Sequence, residues 1–239
     1  MQNSITKMVV HDNQFVFFAD KLGNLKYIDT VSHDNVVFDD CMPGEITGIE
    51  FYNNSVFVSD DQGHLKSMNS LSFVVLKDFE KVTSSGIICM IMLKNRLFIG
   101  DSGGNLLVIN TKTNHIIKKS PNFMKHKISF IIVYENANKL FIASESYLKC
   151  LCGRTCEVKK DLEKATRYHI TQMILYGKKL FLGDEKGFVH CIDCDSYETI
   201  QEFGQIMANG ITKFFVYESF IYFCDNKGHI KLFNAETLF

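Results

Sequence analysis

Three cysteines, Cys150, Cys152 and Cys156, form a C-x-C-x3-C run, and Cys191 and Cys194 form a C-x2-C pair. Thiolates at such spacings are the raw material of a structural zinc site, which needs four ligands at about 2.3 Å from the metal. The arrangement argues against one. Cys150 and Cys191 stand at equivalent places in two copies of a repeat, so a shared ion would have to span two sheets. Cys152 lies on the same strand face as Cys150, and Cys156 falls in the loop beyond. Reduced thiols, with no metal and no cofactor, are the expectation. The eight histidines are scattered, with no i, i+4 pair of the kind that binds metal on a helix. Satisfied, exposed imidazoles are expected for all of them.

A third candidate is a set of recurring aspartates, at 20, 60, 101, 184 and 225. Each is followed three residues later by glycine: Gly23, Gly63, Gly104, Gly187 and Gly228. Aspartate at the first position of a turn can accept a backbone N–H two residues on, and glycine at the fourth tolerates positive φ. The five Asp-x-x-Gly segments therefore read as structural hairpin turns rather than a catalytic ring. There is no nucleophile elbow, phosphate-binding glycine loop or dinucleotide fingerprint. No catalytic residue is expected.

The elements that carry these turns repeat. Six segments open with Ile5-Thr6, Ile46-Thr47, Ile87-Ile88, Ile128-Ser129, Ile170-Thr171 and Ile211-Thr212, at successive spacings of 41, 41, 41, 42 and 41 residues. That period belongs to four-stranded propeller blades. Each copy runs from an alternating strand through a polar turn to an apolar second strand. The Asp-x-x-Gly turn and a third strand follow, the latter usually ending in Asp or Asn. The fourth strand is more variable. In the fourth copy Ser144-Glu145-Ser146-Tyr147 replaces the Asp-x-x-Gly turn, which predicts an irregular hairpin. Charged residues from Asp161 to Thr166 suggest a helical turn. The fold expected is an all-β propeller of about six four-stranded blades, in one domain over residues 1–239, with the last blade lacking its outer strand.

These residues resemble the WD-repeat family over almost the whole chain. The likeness lies in the opening strand, the small residue before Asp, the glycine turn and the third strand ending in an acid or amide. No copy has the tryptophan of the Trp-Asp pair, and the Gly-His pair before the first strand is absent, so the family's buried Asp–His–Ser/Thr–Trp network is not expected. Segments such as Leu97 to Lys118 also resemble quinoprotein-type blades. The WD-repeat resemblance implies a non-catalytic scaffold or adaptor in a multiprotein complex. It also implies a partner surface at the hairpin tips, where Lys21, Gln62, Ser102, Lys186 and Lys227 differ from copy to copy. A quinoprotein-like enzyme would need a cofactor site in the central channel, for which no disulfide, metal or acid cluster is evident.

Composition and charge bound the alternatives. A net charge of −1, with 46% apolar residues, gives no strong general pull toward nucleic acid or membrane. The charge is uneven: residues 1–85 carry 6 Lys against 12 acids, and residues 111–179 carry 14 Lys and Arg against 5 acids. Lys118, Lys119, Lys125 and Lys127 make a basic flank that could meet an acidic partner, a phosphoinositide or nucleic acid. The paired arginines of lipid-binding propellers are not found. Apolar runs are too short to cross a bilayer. Eight cysteines without an export-type leader suggest a reduced, cytoplasmic or nuclear setting. Only Met1 to Ser4 precede the first strand, and Phe239 follows the third strand of the sixth copy. A fragment, a blade completed by a partner's strand at the edge of Ile230 to Asn234, and a flush three-stranded blade all remain open.

Overall fold

The structure, a computed structural model, describes residues 4–235. The chain divides into two compact units, Met1–Ile128 and Ser129–Phe239. Each holds three antiparallel sheets.

In the first unit, sheet 1 is β1 (Ile5–His11), β2 (Phe15–Asp20), β3 (Leu25–Asp29) and β4 (Asn35–Phe38). Sheet 2 is β5 (Ile46–Tyr52), β6 (Ser55–Asp60), β7 (His64–Asn69) and β8 (Val75–Lys81). Sheet 3 is β9 (Ile87–Leu93), β10 (Arg96–Asp101), β11 (Leu106–Asn110) and β12 (His115–Ser120). In the second unit, sheet 4 is β13 (Phe130–Tyr134), β14 (Lys139–Ser144), β15 (Tyr147–Cys152) and β16 (Val158–Asp161). Sheet 5 is β17 (Ile170–Tyr176), β18 (Lys179–Asp184), β19 (Phe188–Asp193) and β20 (Thr199–Gln205). Sheet 6 is β21 (Ile211–Tyr217), β22 (Phe220–Asp225) and β23 (Ile230–Asn234), with three strands among the described residues. Each sheet is a meander in sequence order, as the repeat requires.

Second strands are the most buried elements. In β6, β10, β14 and β18 every residue after the first is buried. Their third residue is Phe57, Phe98, Phe141 and Phe181, and Phe17 holds the same place in β2; all five are at most 1% exposed. Burying a phenylalanine contributes roughly 1.5–3 kcal/mol, so this recurring ring is a large share of each blade's core. Within each unit the cores form between consecutive sheets. Phe17 and Leu25 of sheet 1 pack with Ile46, Ile49 and Val58 of sheet 2. Phe181 and Val189 of sheet 5 pack with Ile211, Phe214 and Phe223 of sheet 6. The hydroxyl at the second position of the repeat ties first strands together: Thr6 Oγ1 donates to the Ile46 carbonyl at 2.9 Å, and Thr171 Oγ1 to the Ile211 carbonyl.

Three expectations need correcting. The fourth copy's hairpin is regular: β14 and β15 pair without a register shift from Lys139↔Cys152 to Ser144↔Tyr147. Two residues, Glu145 and Ser146, close it, with Glu145 at φ 51°. Dropping the Asp-x-x-Gly turn shortened the loop rather than disordering it. No helix forms over 161–166. There the chain docks on the same hairpin, where Leu162 N–H donates to the Leu148 carbonyl and Ala165 N–H to the Ser146 carbonyl, each at 2.9 Å. The helix found among the described residues is a single 3-10 turn, Glu135–Ala137. Finally, the fourth first-strand begins at Phe130, although Ile128 is fully buried, as Ile46, Ile87, Ile170 and Ile211 are buried and Ile5 is not.

Candidate interaction surface

The tips between second and third strands are built from the buried aspartates. All five are at most 5% exposed. One carboxylate oxygen of each accepts two backbone N–H groups, two and four residues on. For Asp60 these come from Gln62 at 3.0 Å and His64 at 2.8 Å. For Asp184 they come from Lys186 and Phe188, both at 2.9 Å. The turn glycines have φ between +79° and +94°. A buried carboxylate that accepts several N–H groups fixes the loop, because leaving it unpaired would cost several kcal/mol.

The second carboxylate oxygen reveals a role that the sequence reading missed. The residue just after each glycine is Asn24, His64, Asn105, Phe188 and His229. In four of the five its side chain reaches back to the aspartate. Asn24 and Asn105 Nδ2 donate at 3.0 and 2.7 Å, and the His64 and His229 Nδ1 atoms lie 2.9 Å from their oxygens. Phe188 cannot do this, and Asp184 Oδ2 has no partner. At Asp225, burial tends to raise the carboxyl, but Asn209 and His229 hold it well below the usual carboxylate range. A polar residue following four of the five glycines was the available signal.

Between them the framework leaves side chains in water. Lys21, Gln62, Ser102, Lys186 and Lys227 are all exposed, one on each Asp-x-x-Gly hairpin. The first three belong to the first unit and the last two to the second. Of the basic flank, Lys118 is half-buried in β12, Lys119 is exposed there, and Lys125 and Lys127 are exposed in the segment after it. A shallow cleft of about 280 Å³ in the first unit is lined by Val82, Thr83, Asp101, Asn105, Leu107 and Lys119. That falls just below the usual range of small-ligand pockets, about 300–1,000 Å³.

The thiols sit in apolar surroundings. Burial pushes Cys89, Cys191 and Cys194 up to about 12 and raises Cys150 as well. Cys150 Sγ faces the Tyr197 hydroxyl at 3.8 Å. Cys152 is the exception: hydrogen bonds from Thr155 lower its pKa, and it is partly exposed. No cluster of three or more His, Cys, Asp or Glu among the described residues is placed to hold a metal ion. No helix among them is long and apolar enough to cross a membrane. The histidines depart from expectation, since His11, His64, His126 and His190 are half-buried. The His11 ring stacks on Phe51 at 3.9 Å.

One carboxylate escaped the sequence reading. Glu50 in β5 occupies a repeat position that is Val9, Ile91, Ile132, Ile174 and Phe215 in the other copies. Burial pushes it up to about 7, against the charge of Lys7 and the Met92 N–H that it accepts. Alternation alone marks position 50 as a polar residue; comparison across copies marks it as an acid in an apolar place.

No family model matches the sequence, and no curated protein matches it in sequence. Solved structures do match in shape. The computationally designed Ika8 protein superposes with a TM-score of 0.86 at 17% identity, over 98% of this chain and 72% of that one. Saccharomyces cerevisiae Sqt1 matches at 0.83 and 13% identity, over 96% of this chain and 71% of that one. The WD40 domain of Neurospora crassa Pan2 matches at 0.77 and 11% identity, over 97% and 76%. The fold is a divergent WD-repeat-like propeller. Its six blades are the six sheets, and the sixth lacks an outer strand among the described residues. At these identities the likeness establishes architecture alone.

Proposed function

We propose that this chain is a non-catalytic binding platform, an adaptor that holds other proteins in a complex. One observation carries the reading. Five buried aspartates lock five hairpins of near-identical backbone, and each hairpin exposes a different pair of tip residues: Lys21-Leu22, Asp61-Gln62, Ser102-Gly103, Glu185-Lys186 and Asn226-Lys227. Spending buried charge to fix a loop while varying its tip is the division of labour expected of a recognition surface. Cytoplasmic or nuclear partners fit the reduced thiols.

The test is to compare the intact chain with a variant carrying alanine at Lys21, Gln62, Ser102, Lys186 and Lys227. Each would serve as bait in its native cell, with retained proteins identified and quantified. A stoichiometric partner held by the intact chain and lost at least tenfold by the variant supports the reading. Equal retention by both removes the tips as the surface.

A second reading is favoured by the sixth sheet. Strand β23 pairs with β22 on one side, and among the described residues nothing pairs with its other edge. A strand contributed by a partner would complete the blade, a known mode of peptide recognition.

A further inference from the structure

The five complete sheets describe what the sixth should accept. Third strands β7 and β15 carry a lysine at the residue after their buried leucine: Leu65-Lys66 and Leu148-Lys149. Opposite each lysine, the fourth strand places an acid. Lys66 pairs with Asp78 and Lys149 with Asp161, with N···O distances of 3.6 and 3.1 Å. In sheet 5 His190 stands opposite Glu202 in the strand register. Sheet 1 departs, with Lys26 opposite Val37. In sheet 3 the position is Leu107, opposite Lys119.

The residue that follows the acid, in the fourth strand or just past its end, is also constrained. It is Phe79 after Asp78, Leu162 after Asp161 and Phe203 after Glu202. Because side chains alternate across a strand, this residue points to the opposite face from the acid. There each packs into the core that its sheet shares with the following one. Phe38 does the same in sheet 1. The fourth strand thus has a two-residue signature: an acid for the third strand's cation, then an aromatic or leucine for the apolar face.

Strand β23 has the receiving half of this arrangement. Ile230-Lys231 aligns with Leu65-Lys66 and Leu148-Lys149. Lys231 is exposed, and its ammonium donates to the Ile206 carbonyl at 2.6 Å, as Lys66 does to the Cys41 carbonyl at 3.0 Å. Ile230 is 62% exposed, whereas Leu65, Leu148 and Val189 are fully buried at the same place, in cores that hold residues of the following sheet together with the fourth-strand side chain. Leu232 is 55% exposed and Phe215 41% exposed on the same face, Phe215 stacked on Tyr222 at 4.4 Å. Cation and apolar surface are both present, and among the described residues neither the acid nor the aromatic that answers them elsewhere stands beside them.

We propose that β23 accepts, as a fourth antiparallel strand, an extended segment of another protein carrying Asp or Glu followed directly by Phe or Leu. The acid pairs with Lys231, and the apolar side chain covers Ile230 and its neighbours. The proposal rests on the binding-platform reading and specifies a partner for one of its edges.

The test uses a nine-residue synthetic peptide with the sequence of residues 74–82 of this chain, which contains Asp78-Phe79. It is titrated into the full chain, with binding followed by anisotropy and by hydrogen exchange at the β23 amides. Saturable binding that protects those amides is expected. Lys231→Glu should weaken it by roughly fivefold or more, since a partly exposed ion pair becomes a like-charge contact. A peptide carrying Asp78→Lys should recover the loss on that variant, which also shows the variant is folded. A peptide with Phe79→Ala should bind more weakly to both proteins. Absence of binding overturns the proposal, as does indifference to the charge swap. So does protection of β23 in the peptide-free chain, whether the chain is a monomer, its own segment then filling the edge, or a dimer, a second copy doing so. Loss of partners by the five-tip variant is read separately, so failure here leaves the platform reading standing or falling on its own result.

Discussion

Replacing Glu50 with glutamine should stabilise the protein at pH 8 and do much less at pH 5. Burial lifts the folded-state pKa of this carboxyl to about 7, from an ordinary value of 4.5. A raised acid pKa means the folded state holds a proton that the unfolded chain releases. Between the two values stability therefore falls as pH rises, and above about 7 the loss is complete. A tenfold change in proton affinity corresponds to about 1.4 kcal/mol, so full ionisation would cost roughly 3 kcal/mol. Glu50 keeps some contact with solvent, so about 2 kcal/mol is the better expectation. Glutamine preserves the acceptor for the Met92 N–H and removes the charge. Denaturant unfolding of wild type and Glu50→Gln should be followed at pH 5, 6, 7 and 8, with the variant subtracting every other titrating group. The stability difference between the two proteins should grow by about 1.5–2.5 kcal/mol across that range. A difference that does not change with pH would refute the argument. It would mean that Lys7 and the Met92 N–H compensate the charge fully.

Two further outcomes follow from local geometry. Gly23→Ala should be severely destabilising, by about 3 kcal/mol or more, because its φ is +80° and an added Cβ would lie 2.0 Å from the Met42 carbonyl oxygen. Gly228→Ala, at φ +83° but with nothing among the described residues within 4 Å of the new atom, should cost only about 1–2 kcal/mol from the backbone; denaturation midpoints of the two variants would test the contrast. Cys152 should alkylate first in the native protein at pH 7.5, well before Cys89, Cys191 and Cys194, whose thiols are pushed up to about 12. Time-resolved mass spectrometry with iodoacetamide would detect a different order.

What could be read from the sequence was what depends on neighbours along the chain. The six openings, the Asp-x-x-Gly turns and the apolar second strands are each set by a few adjacent residues, and each recurs. The third strands ending in Asp or Asn were equally visible, though not their purpose. Asp29 Oδ1 accepts the N–H groups of Val31 and Ser32, and Asn69 Oδ1 those of Leu71 and Ser72, so each starts the next turn. What escaped depends on where the chain returns. The helix expected at 161–166 is pre-empted because backbone carbonyls of β15 and its turn offer better partners than a short helix has. The reach of His64 and His229 back to an aspartate depends on the side-chain rotamer. The acid–aromatic pairs of the fourth strands look like surface variation until the register sets Asp78 opposite Lys66.

A repeat protein supplies its own controls, and this changes how its departures should be weighed. Asp184 lacks the second partner that Asp60 and Asp225 enjoy, so Phe188 was retained at the expense of a buried hydrogen bond. Phe188 lies against Tyr168, at 5.7 Å between rings, and packing there is what it offers instead. Glu50 puts a carboxyl where the five sister positions carry apolar side chains. Ile230 forgoes burial that Leu25, Leu65, Leu106, Leu148 and Val189 all have, at 1% exposure or less. The first two departures are internal and cost stability whatever binds. Ile230 differs because part of its deficit, on the order of 1 kcal/mol of unburied apolar surface, can be recovered by the apolar side chain of an added strand. An edge where, among the described residues, a lysine has no acid opposite it and an apolar face stays exposed, while sheets 2 and 4 meet that lysine with an acid, has the means to bind there.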